Sequence, residues 1–169
     1  MHWEAVIEFP KMKVGVGTRD VNGNPCIAVI RYLPLTAESR APENALAERA
    51  ARQIERYRDD PDTRFNLPLL IEGTDFQRRV WEVMCAIPRG RTLTYGEVAR
   101  KLEAGGYDTA RAVGQACGDN KLPIVIPCHR VVAANGIGDF SHSTGGYLLE
   151  AKRWLLMHES SADAFELRP

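Results

Sequence analysis

Residues 94–117 read TYGEVARKLEAGGYDTARAVGQAC, and they predict two short helices joined by a glycine turn. The segment Thr94–Glu97 has the capping-box pattern that begins a helix. Gly105-Gly106 supplies the turn, and Asp108 or Thr109 is suited to cap the second helix. Two short helices joined in this way are typical of a helix-turn-helix, although a plain helical hairpin is the commoner structure for such a pattern.

The segment that follows carries a possible nucleophile. Residues 124–130 read IVIPCHR, and we expect an extended run that ends at Pro127 and places Cys128 at its tip. The thiolate is the nucleophilic form of cysteine, and at a pKa of about 8.5 only a few per cent of a free thiol is ionised at neutral pH. His129 or a nearby cation can raise that fraction. Cysteine is also among the most buried residue types. Cys128 and His129 taken alone are therefore as compatible with structural packing as with a nucleophilic site.

Residues 1–72 predict a separate α/β unit without a catalytic pattern. Three apolar runs are predicted strands: Ala5–Phe9, Lys13–Gly17 and Cys26–Tyr32. Asn22-Gly23 is a hairpin signal between the second and third strands. A helix should begin near Pro42, in the first turn that proline favours. One face of this helix is apolar: Leu46, Ala50, Ile54 and Tyr57.

The second unit, residues 73–160, should be mainly helical. Thr74–Gln77 is another capping box, and Pro88 stops the helix that it begins. The predicted buried face of that helix is Phe76, Val80, Val83 and Ile87. A last helix from about Tyr147 to His158 should bury Leu148, Leu155 and Leu156, which leaves 161–169 as a frayed tail.

Composition narrows the classes of protein. The 169 residues are 44% hydrophobic with a formal net charge of zero, which favours a packed fold over disorder. No apolar run reaches the length of a membrane span, and the N-terminus lacks a signal-peptide pattern. The cysteines form no C-x-x-C pair, so we expect no metal site, no cofactor and reduced thiols in the cytoplasm. Between Arg89 and Arg153 the nine basic residues exceed the six acidic ones, which predicts modest affinity for nucleic acid.

About half of the chain resembles the C-terminal domain of the O6-alkylguanine-DNA alkyltransferases, also called methylated-DNA–protein-cysteine methyltransferases. The matching stretches are TDFQRRVW (74–81), IPRG (87–90), TYGEVA (94–99), ARAVG (110–114), Asn120, IPCHRVV (126–132), KRWLL (152–156) and His158-Glu159. The resemblance implies a ribonuclease-H-like α/β N-terminal domain and a mainly α C-terminal domain with a winged helix-turn-helix. It also implies a partner, duplex DNA containing O6-alkylguanine. We expect a monomer that requires neither a protein partner nor a membrane.

The resemblance assigns the chemical roles. Cys128 matches the alkyl acceptor, His129 the base that relays the thiol proton through a water, and Glu159 the carboxylate that orients this histidine. These three follow the order of nucleophile, base and orienting group. Tyr95 matches the hydrogen-bond donor to the leaving guanine, which stabilises the charge that develops on the ring.

The same resemblance assigns DNA contacts and supports. Arg111 matches the arginine that fills the stack when the damaged nucleotide is flipped out. The resemblance also implies that this helix pair docks in the minor groove. The contacting residues are three small residues of the second helix and the residue that begins the first helix: Ala110, Ala112, Gly114 and Thr94. Asn120 and Arg130 match supporting residues of the site. The segment 136–146 is longer than its counterpart in the family, so the range of alkyl groups accepted stays open.

These assignments predict a repair protein that moves an alkyl group, methyl above all, from O6 of guanine to Cys128. O4 of thymine is a second candidate target. A thioether has no ready leaving group, so the protein should act once. Three alternatives remain: a lesion sensor without transfer, a cysteine hydrolase using Cys128 and His129, and a winged-helix transcription regulator with an incidental cysteine.

Overall fold

The computed structural model describes residues 2–102, 107–136 and 146–167. Two compact units divide the chain, residues 1–71 and residues 72–169. The predicted turn at Gly105-Gly106 and residues 137–145 of the long loop lie outside the described residues. Within the part that the structure describes, no helix combines the length and apolar composition needed to cross a membrane.

The first unit contains a three-stranded antiparallel sheet. Its strands are β1 (Ala5–Glu8), β2 (Lys13–Val21) and β3 (Asn24–Leu33), in the order β1-β2-β3. Asn22 and Gly23 have φ angles of 53° and 83°, as a two-residue hairpin turn of the primed kind requires. The predicted strands and hairpin are therefore confirmed, and the hairpin strands are longer than predicted.

One helix, α1 (Ala45–Asp59), covers a face of this sheet. Its predicted apolar face is confirmed, because Leu46, Ala50, Ile54 and Tyr57 are all buried. A helix follows Pro42 as predicted, but Pro42 is not in its first turn: Asn44 is the N-cap, and its side-chain oxygen accepts from the amide of Ala47 at 2.8 Å. Pro42 thus precedes the helix. Sheet and helix together make the α/β unit that the sequence predicts.

The second unit begins with α2 (Asp75–Cys85). Its capping box is confirmed, since Thr74 accepts from the amide of Gln77 at 3.1 Å and Gln77 accepts from the amide of Thr74 at 2.9 Å. The predicted buried face needs correction. Val80 and Ile87 are buried, but Phe76 and Val83 are only half-buried. The core is completed instead by Trp81 and Met84, which share one helical face with Val80.

Helices α3 (Tyr95–Lys101) and α4 (Tyr107–Gly118) pack against each other. The second capping box is confirmed at Thr94, which accepts from the amide of Glu97 at 3.1 Å. Helix α4 already includes Tyr107, so Asp108 and Thr109 lie inside it and do not precede it as caps. Two strands that the sequence did not reveal, β4 (Leu93–Thr94) and β5 (Val131–Val132), pair in parallel.

The segment before Cys128 is not extended, which corrects the prediction. Residues 123–125 form a turn, Ile124 has a φ of 73°, and Cys128–Arg130 form a single 3-10 turn. The final helix, α5 (Gly146–Leu167), is also longer than predicted and continues through most of the expected tail.

Candidate active site

Cys128 begins the 3-10 turn, and only 5% of the residue is exposed. Asn120 holds the segment that leads to it. The side-chain amide of Asn120 donates to the carbonyl of Ile126 at 2.9 Å, and its side-chain oxygen accepts from the amide of Leu122 at 2.9 Å. The backbone amide of Asn120 donates to the carbonyl of Cys117 in α4. Asn120 therefore ties the end of α4 to the segment that carries the cysteine.

His129, Glu159 and Arg130 form one buried cluster. His129 Nε2 lies 2.7 Å from Glu159 Oε2, and both residues are almost completely enclosed. Arg130 donates two hydrogen bonds to the same carboxylate: Nε lies 2.8 Å from Oε1 and Nη2 lies 3.0 Å from Oε2. Its third nitrogen, Nη1, donates at 2.7 Å to the carbonyl of Ile87, two residues after the last residue of α2. The Glu159 carboxylate thus joins α5 to the 3-10 turn, and the Arg130 guanidinium connects that turn to the segment after α2.

The surroundings of Glu159 determine the protonation state of His129. Burial alone would raise the pKa of Glu159, but the hydrogen bonds from His129 and Arg130 and the charge of Arg130 hold that pKa well below its usual range. An ionised carboxylate only accepts hydrogen bonds, so His129 Nε2 must carry the shared proton. Burial lowers the pKa of His129 more than Glu159 raises it. The ring is therefore neutral, with its basic lone pair on Nδ1.

Nδ1 of His129 is the atom of this cluster that is available to accept a proton. It is buried and makes no hydrogen bond within the described residues. An unsatisfied buried acceptor costs about 1–3 kcal/mol, so its retention needs a reason. Nδ1 belongs to the residue that directly follows Cys128, and a proton donor placed beside it could be deprotonated there.

Cys128 is a thiol at rest rather than a thiolate. Burial raises the pKa of Cys128 to about 11, although the Asn120 hydrogen bond and the Lys152 charge act in the opposite direction. The neighbouring groups therefore act in the expected direction, but burial has the larger effect on the pKa of Cys128. The sulfur becomes a nucleophile only when a base takes its proton during the reaction.

The predicted DNA-facing residues lie on the helix pair. Tyr95 is the first residue of α3, and its ring lies about 4.0 Å from the position that a Cβ on Gly114 of α4 would occupy. Arg111 is exposed on α4, one turn before Gly114, while Ala110 and Ala112 are half-buried. The hydroxyl oxygen of Thr94 is engaged in capping α3. The structure brings Tyr95 and Gly114 together and leaves the Arg111 side chain at the surface.

Sequence reasoning missed Lys152, which is only 1% exposed. Its Nζ donates to the carbonyl of Val131, at 2.9 Å, directly after the 3-10 turn. A signal was available, because Lys152, Leu155 and Glu159 are spaced to share one face of α5. The described residues contain no group of three or more His, Cys, Asp or Glu side chains placed to hold a metal ion.

Comparisons with known proteins agree on one family. A family model described as "6-O-methylguanine DNA methyltransferase, DNA binding domain" matches residues 75–161. A "Regulatory protein ada" of Salmonella typhimurium is 47% identical over 96 residues, which cover 56% of this chain and 26% of that protein. A methylated-DNA–protein-cysteine methyltransferase of Mycobacterium bovis is 43% identical over 95 residues, with 56% of each chain covered. The chain thus spans about half, or less, of the length of these relatives.

Longer matches extend into the first unit. A methylated-DNA–protein-cysteine methyltransferase of Mycolicibacterium paratuberculosis is 39% identical over 136 residues, covering 78% of this chain and 81% of that protein. The crystal structure of Mycobacterium tuberculosis OGT in complex with DNA has a TM-score of 0.75 at 33% identity and covers 93% of this chain and 92% of its own. A second structure, O6-methylguanine methyltransferase of the same organism, has a TM-score of 0.66 at 36% identity, with 88% and 93% covered.

Proposed function

The chain belongs to the O6-methylguanine DNA methyltransferase family, and from that premise we propose that it transfers an alkyl group from O6 of guanine in duplex DNA to Cys128. One observation carries the proposal. A buried thiol is followed in the chain by a neutral histidine whose Nε2 is held by an ionised carboxylate and whose Nδ1 is open. This arrangement supplies a nucleophile, a base and an orienting group without requiring a permanent thiolate.

Proton transfer prepares the sulfur. The thiol proton of Cys128 moves to His129 Nδ1, through a water in the proposed mechanism, and Glu159 stabilises the imidazolium that forms. Arg130 holds Glu159 in place and keeps it ionised. The cysteine thus becomes nucleophilic only when an electrophilic carbon is in place beside it.

Alkyl transfer is a displacement at carbon. The sulfur forms a bond to the methyl carbon as the bond from that carbon to O6 breaks, and the electron pair passes into the guanine ring. Tyr95 donates a hydrogen bond to the leaving base, and the guanine ring takes up a proton. The net reaction converts the thiol and O6-methylguanine into a methyl thioether and guanine. The thioether has no good leaving group, which makes each chain a single-turnover reagent.

Access to O6 requires the damaged nucleotide to leave the base stack. Flipping costs a few kcal/mol, less for a poorly paired base. In the proposed complex α4 lies in the minor groove, its small residues allow close approach, and Arg111 fills the vacated place in the stack. The packed pair α3 and α4, with strands β4 and β5 beside it, supports a winged helix-turn-helix. The ribonuclease-H-like topology of the first unit, the monomeric state and the cytoplasmic location remain predictions.

Intact-protein mass spectrometry tests the proposal. After incubation with a duplex containing O6-methylguanine, each chain should gain one methyl group, and peptide mapping should place it on Cys128. Cys128→Ser should gain none while still binding the duplex. Cys85→Ser, which removes an exposed cysteine of the same unit, is the matched control and should gain the methyl group normally.

Other outcomes identify the alternatives. Binding of the damaged duplex without a mass change would indicate a lesion sensor that does not transfer the alkyl group. Multiple turnovers on an ester or amide substrate would indicate a hydrolase. Selective binding of one undamaged sequence, without a mass change, would indicate a transcription regulator.

A further inference from the structure

Helix α1 of the first unit carries a row of arginines on its outer face. Arg49, Arg52 and Arg56 are all exposed, and their spacing of three and four residues places them on one face of the helix. At a rise of about 1.5 Å per residue, the row is about 10 Å long. Residues 1–71 contain ten basic and ten acidic residues, so the unit is neutral as a whole. The arginine row is therefore a local excess of positive charge in a neutral unit.

The carboxylates of the chain neutralise only part of this row. Glu48 is the acidic residue that lines the groove along it, and one of its carboxylate oxygens lies 2.6 Å from Nη2 of Arg52. The Arg56 side chain forms neither an ion pair nor a hydrogen bond within the described residues. Like charges three or four residues apart repel each other and destabilise a helix slightly. The repulsion within the row would be offset by an anion from outside the chain.

Three hydrogen bonds hold the groove beside the row in a defined shape. Gln53, on the same face of α1, donates through Nε2 to the carbonyl of Asn66 at 3.1 Å and accepts from the amide of Asn66 at 2.8 Å. Arg49 donates to the same carbonyl. The groove has a volume of about 340 Å³, which is large enough for a phosphodiester group with bound water. Because these side chains are already ordered, less conformational entropy is lost when an anion binds.

We propose that this arginine row is a second DNA-binding surface, which contacts the backbone phosphates of duplex DNA. The choice of DNA as the anion rests on the proposed function, since a DNA-repair protein acts beside a dense polyanion. Guanidinium groups match phosphate with two parallel hydrogen bonds. A row about 10 Å long corresponds to roughly three phosphates of one strand, at about 3.4 Å of duplex axis each. Such contacts carry no sequence information, so they hold the protein on undamaged DNA while it searches for a lesion.

The salt dependence of binding to an undamaged duplex tests the proposal without any alkyl transfer. Each phosphate that a cation neutralises contributes about 0.9 to the slope of log affinity against log salt concentration. The double variant Arg52→Gln/Arg56→Gln should therefore reduce this slope by about 1.8 and weaken binding in about 0.1 M salt at least about tenfold. Fluorescence anisotropy of a labelled duplex, titrated with the full chain at several salt concentrations, measures both quantities.

Matched variants separate phosphate contact from a general effect of charge. Lys11→Gln/Arg19→Gln removes two exposed cations outside α1 and should retain the parent slope. Arg52→Lys/Arg56→Lys keeps both charges and should retain most of the slope. Arg56→Gln alone breaks no contact within the described residues and should reduce the slope by about 0.9, so it replaces the double variant if that variant does not fold.

Two results would overturn the proposal. One is a slope for Arg52→Gln/Arg56→Gln that coincides with the parent slope. The other is an equal reduction in Lys11→Gln/Arg19→Gln, which would show that only the net charge matters. Failure of the unsubstituted chain to accept a methyl group from a damaged duplex would refute the proposed function alone, because the slopes on undamaged DNA would still decide whether the arginine row binds phosphates.

Discussion

Replacing Glu159 by glutamine tests the buried cluster that organises the site. The substitution keeps the shape of the side chain and removes its charge, while His129 and Arg130 stay in place. Glu159 is 1% exposed and has three close contacts, one at 2.7 Å to His129 and two at 2.8 and 3.0 Å to Arg130. The change leaves the Arg130 cation, whose side chain is 14% exposed, without this counter-charge.

The expected loss of stability is large. Removing one partner of a buried ion pair costs about 3–5 kcal/mol. We expect about 3 kcal/mol for Glu159→Gln, because glutamine retains one carbonyl acceptor and Arg130 keeps some contact with water. Glu150→Gln is the matched control on the same helix: its pair with Arg153 has the same 2.8 Å separation but is about half exposed. Exposed pairs contribute at most about 1 kcal/mol.

Native-state hydrogen exchange read by mass spectrometry measures this effect in the second unit separately from the first. At pH 7, Glu159→Gln should lower the opening free energy of α5 peptides by several times the effect of Glu150→Gln. A double-mutant cycle with Arg130→Met should show coupling well above the scatter of about 0.5 kcal/mol for independent sites. Equal effects of the two glutamine variants would refute the assignment of Glu159 as the organising charge.

The pH dependence of the free energy of unfolding independently tests the direction of the Glu159 pKa shift. The pKa of Glu159 is lowered in the folded chain, so its contribution is fully present above the unfolded value of about 4.3 and is lost as the pH falls through the folded value. The difference between Glu159→Gln and the parent should therefore stay constant from pH 7 to about pH 5 and shrink below about pH 4. A difference that grows on acidification would contradict the assignment.

Two further predictions concern α4. Arg111→Ala should slow methyl transfer from a paired lesion at least about tenfold, because filling the vacated place in the stack offsets a flipping cost of a few kcal/mol. In stopped-flow transfer assays the control variant Arg153→Ala should have the same rate as the parent chain. Equal rates for Arg111→Ala and Arg153→Ala would show that Arg111 has no role in flipping. Trp81→Phe should destabilise the second unit by about 1–3 kcal/mol, because it removes the indole N–H that donates to the carbonyl of Ala116 at 2.9 Å. Urea unfolding measures this loss, and an unchanged midpoint would show that the hydrogen bond contributes nothing.

Local elements of the fold were predictable because their causes lie within a few residues of sequence. The capping boxes at Thr74 and Thr94 are closed by side chains three positions away, and the Asn22-Gly23 turn needs only residues that tolerate positive φ. The start of α1 was misplaced because Pro42 and Asn44 are both reasonable helix starts. Only the conformation of the folded chain distinguishes them.

The turn before Cys128 shows where local reasoning failed. An apolar run ahead of Pro127 favours extended backbone, since proline restricts the residue before it. The folded chain nevertheless places Ile124 at a φ of 73° and buries its side chain. The hydrogen bonds from Asn120 and the burial of this segment outweigh the local preference, and neither can be read from the local pattern.

The sequence by itself determined the secondary structure of the helix pair and the adjacency of Cys128 and His129, because neighbours along the chain remain neighbours in any fold. Only the tertiary structure decided which groups act on that pair. Glu159 and Lys152 reach the site because α5 packs against the turn, and burial together with neighbouring charges shifts the pKa values of Cys128, His129 and Glu159. Desolvation and long-range charge depend on the position of the whole chain around a group, so no local pattern contains them.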